Sequence, residues 1–236
     1  MRLHVDVHGN GARAAVLLHG MMGSSESWWR VAPLLAERGF RVLAIDLQGH
    51  RLSPRDPELT VERAAEAVTM TVQAEAGGAP ALAIGHSFGG LVLAAAAKEL
   101  RPELAAYVDA PFRSRGGWNR AEALAEYEQD RQERTYERLR ARRPQYGEHD
   151  YIVEARAAER FDPVSAASIA ASAGGDWPPS AGSIVIRPEP SDYVDAEFAA
   201  ALAEHGVQVR SILGAAHSVW YSHFDEFLAA LPEAFG

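Results

Sequence analysis

The feature that most constrains this chain is an alternation of short apolar runs with longer segments of helical period. "AAVLLHG", "RVLAIDL", "ALAIGH", "LAAYVDA", "SIVIRPE" and "VQVRSIL" are compact, rich in Val, Ile and Leu, and bounded by turn residues. Runs of this kind read as buried strands. "RLHVDV", near the start, alternates polar and apolar residues and reads as a further strand. Between them lie helix candidates with recognisable ends. "SSESWWRVAPLLAERG" opens on serines and closes at Gly39, and "TVERAAEAVTMTVQAEAGG" opens on Thr60 and closes on a glycine pair. "DAEFAAALAEHG" and "SHFDEFLAALPEAF" repeat the pattern. Strand and helix in alternation require crossover connections, so the expected fold class is α/β, a mostly parallel central sheet with helices on both faces.

One segment breaks the rhythm. From Phe112 to Gly182 no convincing strand occurs and the composition turns polar. This segment reads as two or three helices separated near Pro144 and Gly147. The expected division is therefore a core of residues 1–111 and 183–236, interrupted by a helical lid over 112–182. The arginine cluster "RLRARR" within it, with Glu126, Glu133 and Glu137 upstream, reads as a solvated helix face.

Composition narrows the partners. A formal charge of -9 argues against nucleic acid or an anionic membrane surface. The 236 residues include no cysteine, which removes disulfides, thiolate nucleophiles and cysteine metal sites, and which suits a reducing compartment. The N-terminal "MRLHVDVHGNG" has no signal-peptide pattern, and no apolar run is long enough to span a bilayer. A cytoplasmic protein with a small-molecule partner and no membrane insertion is expected. His4, Asp6 and His8 share one strand face, but a solvated face accounts for them, and neither a metal nor a cofactor is expected.

The chemistry concentrates at "GHSFGG". Gly85 and Gly89 flank Ser87 after a strand and before the helix-forming "LVLAAAAKEL". A residue on so sharp a strand-to-helix turn takes strained backbone angles, and small neighbours let strand and helix approach. Ser87 would lie at a helix N-terminus, where N–H groups favour negative charge. A serine nucleophile needs a base. Among the nine histidines, His217 follows the last strand candidate, "VQVRSIL", in a loop at the same sheet edge as Ser87. The base needs a carboxylate to fix its tautomer. Asp192, after "SIVIRPE", is preferred, and Asp109, at the end of "LAAYVDA", is its main rival. The backbone N–H groups of Phe88 and Met21 are the expected oxyanion donors. Trp28 and Trp177 are expected among the aromatic residues of a substrate pocket, and Arg51 stands near its mouth or on the surface.

Together these residues resemble the α/β-hydrolase superfamily, in its serine-nucleophile, esterase- and lipase-like branch. "LLHGMMGSSESW" looks like the oxyanion loop and "AIDLQGHRLS" like the Asp-x-x-Gly-His-Gly-x-Ser segment. "GHSFGG" looks like the nucleophile elbow, "IRPEPSDYV" like the acid loop and "GAAHSV" like the histidine loop. The resemblance implies the α/β-hydrolase fold with a lid inserted after the sixth strand. Arg51 stands where the family commonly has glycine, and Pro188 where glycine often precedes the acid. Relatives that hydrolyse epoxides or haloalkanes carry aspartate at the elbow, so Ser87 implies attack on an acyl carbon. Cleavage of a carboxylic ester, thioester or lactone through an acyl-enzyme is the expectation. A C–C bond hydrolase, a biosynthetic thioesterase and a ligand-sensing receptor of this fold are the alternatives.

Overall fold

Seven strands pair in the order β1-β3-β2-β4-β5-β8-β9, and each of the apolar runs named above supplies one of them. A computed structural model describes all residues, Met1–Gly236. β1 (Val5–His8) is the antiparallel edge strand against β3. β2 (Arg13–Leu18), β3 (Phe40–Ile45), β4 (Leu82–His86) and β5 (Leu104–Val108) run parallel to one another. β6 (Arg113–Ser114) and β7 (Gly175–Asp176) form a separate two-residue ladder. β8 (Ile184–Glu189) and β9 (Gln208–Leu213) complete the parallel array. The strands of the centre are hydrophobic throughout because both faces are covered. Val16, Leu18, Leu43 and Ile45 pack into one apolar layer, and Leu17, Val42, Ala44 and Ile84 into the other.

The helices follow the expected starts and stops with instructive exceptions. The stretch 24–39 divides into a 3-10 turn, Ser25–Trp28, and helix α1 (Val31–Glu37). The division follows from a tether: the Ser25 N–H donates to the buried Asp46 carboxylate at 2.7 Å, which holds that turn to the loop after β3. α2 (Val61–Ala76) is capped by the Thr60 hydroxyl and ends at Gly77, whose φ of +70° closes it. α3 (Phe88–Leu100) starts directly after Ser87.

The insertion holds four helices rather than two or three: α4 (Arg120–Glu133), α5 (Tyr136–Arg142), α6 (Glu148–Glu159) and α7 (Pro163–Ala171). Two extra breaks come from caps that are easy to overlook. The Thr135 hydroxyl accepts from Arg138 N, and the Asp162 carboxylate accepts from Ser165 N just before Pro163. The insertion follows the fifth strand of the sheet, not the sixth. The count differs by one because this sheet has seven strands and opens with antiparallel β1. β6 and β7, which the polar composition conceals, pair at its base. α8 (Ala196–Glu204) lies between β8 and β9, and the tail forms three short helices, α9 (Val219–Ser222), α10 (Phe224–Ala229) and α11 (Pro232–Phe235).

The insertion is fastened over the carboxyl ends of the strands. Trp29 Nε1 donates to Asp150 at 2.9 Å, and the Asp162 N–H donates to the Gly49 carbonyl at 2.7 Å. Ser165 Oγ accepts from Asp56 N at 3.0 Å.

α3 reaches the sheet because three glycines let it. A Cβ on Gly89 would stand 2.4 Å from the His19 carbonyl oxygen and 2.5 Å from that of Leu18. One on Gly90 would meet the Ala110 Cβ at 2.4 Å, and one on Gly85 the Gly89 carbonyl at 2.6 Å. Backbone cannot yield as a flexible side chain does. Gly89→Ala is therefore expected to lower stability by about 2–3 kcal/mol in urea unfolding, the scale of an overpacked core. An unchanged midpoint would show that α3 does not need this contact.

Candidate active site

Ser87 occupies the turn between β4 and α3 with φ 49° and ψ -120°, a backbone state that L-residues rarely adopt. The turn is held on both sides. The Ser87 N–H donates to the Val108 carbonyl at 2.9 Å, and Gly90 and Leu91 donate back to the Ser87 carbonyl. Ser87 lines a cavity of about 1300 Å³ together with Met21, Phe88 and His217. Its walls come from the loop after β2, the elbow, the histidine loop and the insertion.

His217 lies in the loop after β9, and its Nδ1 is 2.6 Å from Asp109 Oδ2. Asp109 is the residue immediately after β5, is only 2% exposed, and has φ 43°. Its N–H is tied to the Ile186 carbonyl at 2.8 Å, and its second oxygen accepts from Ser191 Oγ at 2.5 Å. An anionic acceptor on Nδ1 keeps the proton there, which leaves Nε2 free as a base.

The carboxylate beside His217 is therefore Asp109, and the preference for Asp192 is corrected. Asp192 lines the cavity but is exposed and makes no bond to His217. The physical reason lies in β8, which continues through Pro188 to Glu189 in register with β9. The loop after it brings Ser191, not Asp192, against the acid position.

The loop after β2 is held by two buried histidines. His19 Nε2 accepts from Leu47 N at 3.0 Å while Nδ1 donates to the Gly20 carbonyl at 2.8 Å. His50 Nε2 accepts from Met22 N at 3.3 Å while Nδ1 donates to the Gln48 carbonyl at 2.9 Å. Each ring acts as one donor and one acceptor, the pattern of a neutral imidazole. Burial pushes His19 down to about 4 and His50 down to about 3, so both are uncharged near neutrality. With Met22 N engaged, the neighbouring Met21 N–H makes no bond to the protein, and neither does the Phe88 N–H. These two groups, at the cavity wall, are free backbone donors beside Ser87.

His86 is a residue that sequence reasoning set aside. Its ring packs at 4.5 Å from His217 and edge-on to Trp220 at 4.8 Å, and its Nε2 donates to the His217 carbonyl at 3.0 Å. Burial, reinforced by His217, holds it well below the ordinary histidine range. His86 thus braces the histidine loop from the elbow itself. Gly20 makes room for it: a Cβ there would stand 2.8 Å from His86 Nδ1.

The two tryptophans expected in the pocket are elsewhere. Trp28 is fully buried and stacks on Trp220 at 4.4 Å, in the core below the site. Trp177 packs against the other core layer, its N–H on the Phe112 carbonyl. The aromatic walls are instead Phe88, Trp118, Tyr127, Tyr146, Tyr193 and Trp220. The placement of Trp118, Tyr127 and Tyr146 depends on the fold of the insertion, which has no local signal. Arg51 is neither at the surface nor in the cavity. Its guanidinium is bonded to Asp6, Asp46, Ser25 and Glu26 at 3.1–3.2 Å. It takes φ 42° where the family commonly has glycine and ties β1 to the loops after β2 and β3. The "RLRARR" cluster keeps acidic neighbours, since Arg138 and Arg142 both reach Glu133, but Arg138, Arg142 and Arg143 also line the cavity.

Comparison with known proteins gives the family. Residues 15–230 match the family model described as the alpha/beta hydrolase family. The chain belongs to the alpha/beta hydrolase family. A bifunctional epoxide hydrolase 2 of Sus scrofa is 38% identical over 96 residues, 39% of this chain and 17% of that protein. The match thus spans about a sixth of the relative's length. Among solved structures, a bromoperoxidase from Bacillus anthracis superposes with a TM-score of 0.78 at 19% identity, over 98% of this chain and 94% of that one. An esterase from Exiguobacterium antarcticum gives 0.77 at 17% identity, over 99% and 95% of the two chains. No helix of this family member is long and apolar enough to cross a membrane.

The buried histidines make stability depend on pH. Their folded pKa values lie below the unfolded value of about 6.5, so the unfolded chain binds more protons between these limits. Their neutral bonds contribute fully above about pH 6.5, and stability falls as the pH drops toward about 4 and then 3. His50→Asn, which keeps a donor for the Gln48 carbonyl, is expected to flatten the fall of the thermal midpoint between pH 7 and 4. A parallel fall in both proteins would assign the acid sensitivity to other groups.

Proposed function

We propose that this protein is a serine hydrolase that cleaves a carboxylic ester of a small to medium substrate through an acyl-enzyme intermediate. The observation that carries the reading is the Asp109–His217 couple in the same cavity as Ser87 on its strained turn. Ser87 Oγ attacks the ester carbonyl carbon while its proton passes to His217 Nε2. The new Oγ–C bond turns the carbonyl oxygen into an oxyanion, which the Met21 and Phe88 N–H groups receive. The bond from carbon to the leaving oxygen then breaks, and that oxygen takes the proton from His217. Water repeats the sequence: His217 removes its proton, hydroxide adds to the acyl carbon, and Ser87 leaves with the proton restored. Asp109 holds the imidazole and stabilises its charged form throughout.

The serine also separates this reading from that of the epoxide hydrolase to which part of the chain is similar. A serine alkoxide and two oxyanion donors suit addition to a trigonal carbonyl. The family resemblance implies an aspartate at the elbow of epoxide-opening enzymes, where this chain has Ser87. Bromoperoxidase and esterase are names borne by neighbours in structure, at 19% and 17% identity, and support the fold alone.

A fluorophosphonate probe should label the wild-type protein at Ser87 and leave Ser87→Ala unlabelled. p-Nitrophenyl esters of increasing chain length should be turned over repeatedly by the wild type and not by Ser87→Ala. Equal labelling of both proteins, or ligand-dependent stabilisation without turnover of any ester, would contradict the proposal.

A further inference from the structure

The insertion places an ion pair in the wall of the cavity that the hydrolytic steps do not use. Arg134 ends α4 and Glu154 lies on α6, and the guanidinium donates through Nη2 to the Glu154 carboxylate. The Glu154 side chain is 5% exposed and the Arg134 side chain 30%. Both residues line the cavity with Ser87 and His217. Arg134 also lies close enough to His86 for its charge to be one of the smaller influences on that ring, behind burial and His217.

The pair is incompletely bonded on the arginine side. A guanidinium carries five N–H donors in a fixed fork. Glu154 takes a bond from Nη2; Nη1 makes none, and Nε is buried without any acceptor. Leaving such donors unmatched in a sheltered site is costly, and a carboxylate is the acceptor whose geometry fits the fork. The other arginines of the cavity are differently placed. Arg113 is paired with Asp176, Arg138 and Arg142 share Glu133, Arg115 and Arg143 have no acidic partner, and all five of these arginines are exposed. Arg134 alone is sheltered, anchored from behind by a buried carboxylate, and provided with spare donors.

Building on the ester hydrolase reading above, we propose that the substrate's acyl part carries a carboxylate, and that Arg134, braced by Glu154, receives it while Ser87 attacks the ester carbonyl. The substrate class is then the monoesters of dicarboxylic acids. Arg134 supplies recognition, Glu154 is a positioning residue, and the aromatic walls enclose the chain between the two ends. A purely structural ion pair would tie α4 to α6 equally well, but it would not discriminate between charged and neutral acyl groups.

The test compares p-nitrophenyl hemiglutarate with p-nitrophenyl valerate, which differ chiefly in the terminal carboxylate. It uses the wild type, Arg134→Gln, and the double variant Arg134→Met with Glu154→Met. The double variant guards against misfolding, because removing one member of a buried pair strands the other. Wild type should favour the hemiglutarate in kcat/KM, and both variants should lose that preference by about 10- to 100-fold, the scale of a charged hydrogen bond. In parallel, monomethyl glutarate and methyl valerate are titrated calorimetrically into Ser87→Ala with and without the Arg134 change. The glutarate hemiester should bind more tightly than the neutral valerate ester, and only its binding should weaken with Arg134→Gln. No charged preference in the wild type, or hemiester binding indifferent to Arg134, overturns the proposal. Failure of Ser87 to label with a fluorophosphonate would instead sink the hydrolase reading, and hemiester binding would still decide the role of Arg134.

Discussion

The approach of α3 to the edges of β2 and β4 is the constraint on which the rest of the site depends. It is possible only where side chains are absent. Gly89 lies against the Leu18 and His19 carbonyls, and Gly90 lies against Ala110. That contact drives the chain through a left-handed turn at Ser87, which projects the serine from the sheet edge and leaves the Phe88 N–H unbonded. The same closeness brings the loop after β2 beside the elbow, so that Gly20 lies against both His86 and Ser87. Strain of this kind, of order 1–3 kcal/mol, persists only when its surroundings over-determine it. Here the Ser87–Val108 hydrogen bond and the buried core of the sheet do so.

A second layer of buried polar groups turns this scaffold into a preorganised site. His19 and His50 hold the loop containing Met21 and Met22 against the loop after β3, and His86 holds the carbonyl of His217. Asp46, fully buried, joins the Ser25 N–H to Arg51. None of these groups is required for attack on a carbonyl. Their effect is to fix positions in advance, and in the proposed reaction the donors would then already point where charge develops. Neutrality of His19 and His50 matters to this arrangement, since a charged imidazole could no longer accept from Leu47 or Met22.

Much of this was legible in the residues. The central strands are visible because parallel strands buried on both faces are continuous apolar runs, β1 because it alternates, and Ser87 because the glycines around it carry a steric meaning. The acid was harder. Asp109 and Asp192 both follow strands at the same edge, and the choice turns on where β8 ends and how its loop folds, which is tertiary information. Pro188, although it disrupts many strands, remains in register with Ile212. The tryptophans were misread because a large aromatic side chain does not announce whether it faces a cavity or a core; Trp28 is held by Trp220, which lies 192 positions later in the chain. The significance of Arg134 was hidden for a similar reason, since its partner Glu154 comes from another helix.

In the proposed reaction His217 works with Asp109. The most direct measurement is the steady-state hydrolysis of a p-nitrophenyl ester by Asp109→Asn and Asp192→Asn, each compared with the wild type. Asp109→Asn is expected to lower kcat by about 10⁴, because an amide no longer enforces the productive tautomer. Asp192→Asn is expected to remain within about tenfold of the wild type, since its loss touches no bond to His217. The reverse order, with Asp192→Asn inactive and Asp109→Asn near the wild-type rate, would contradict the account.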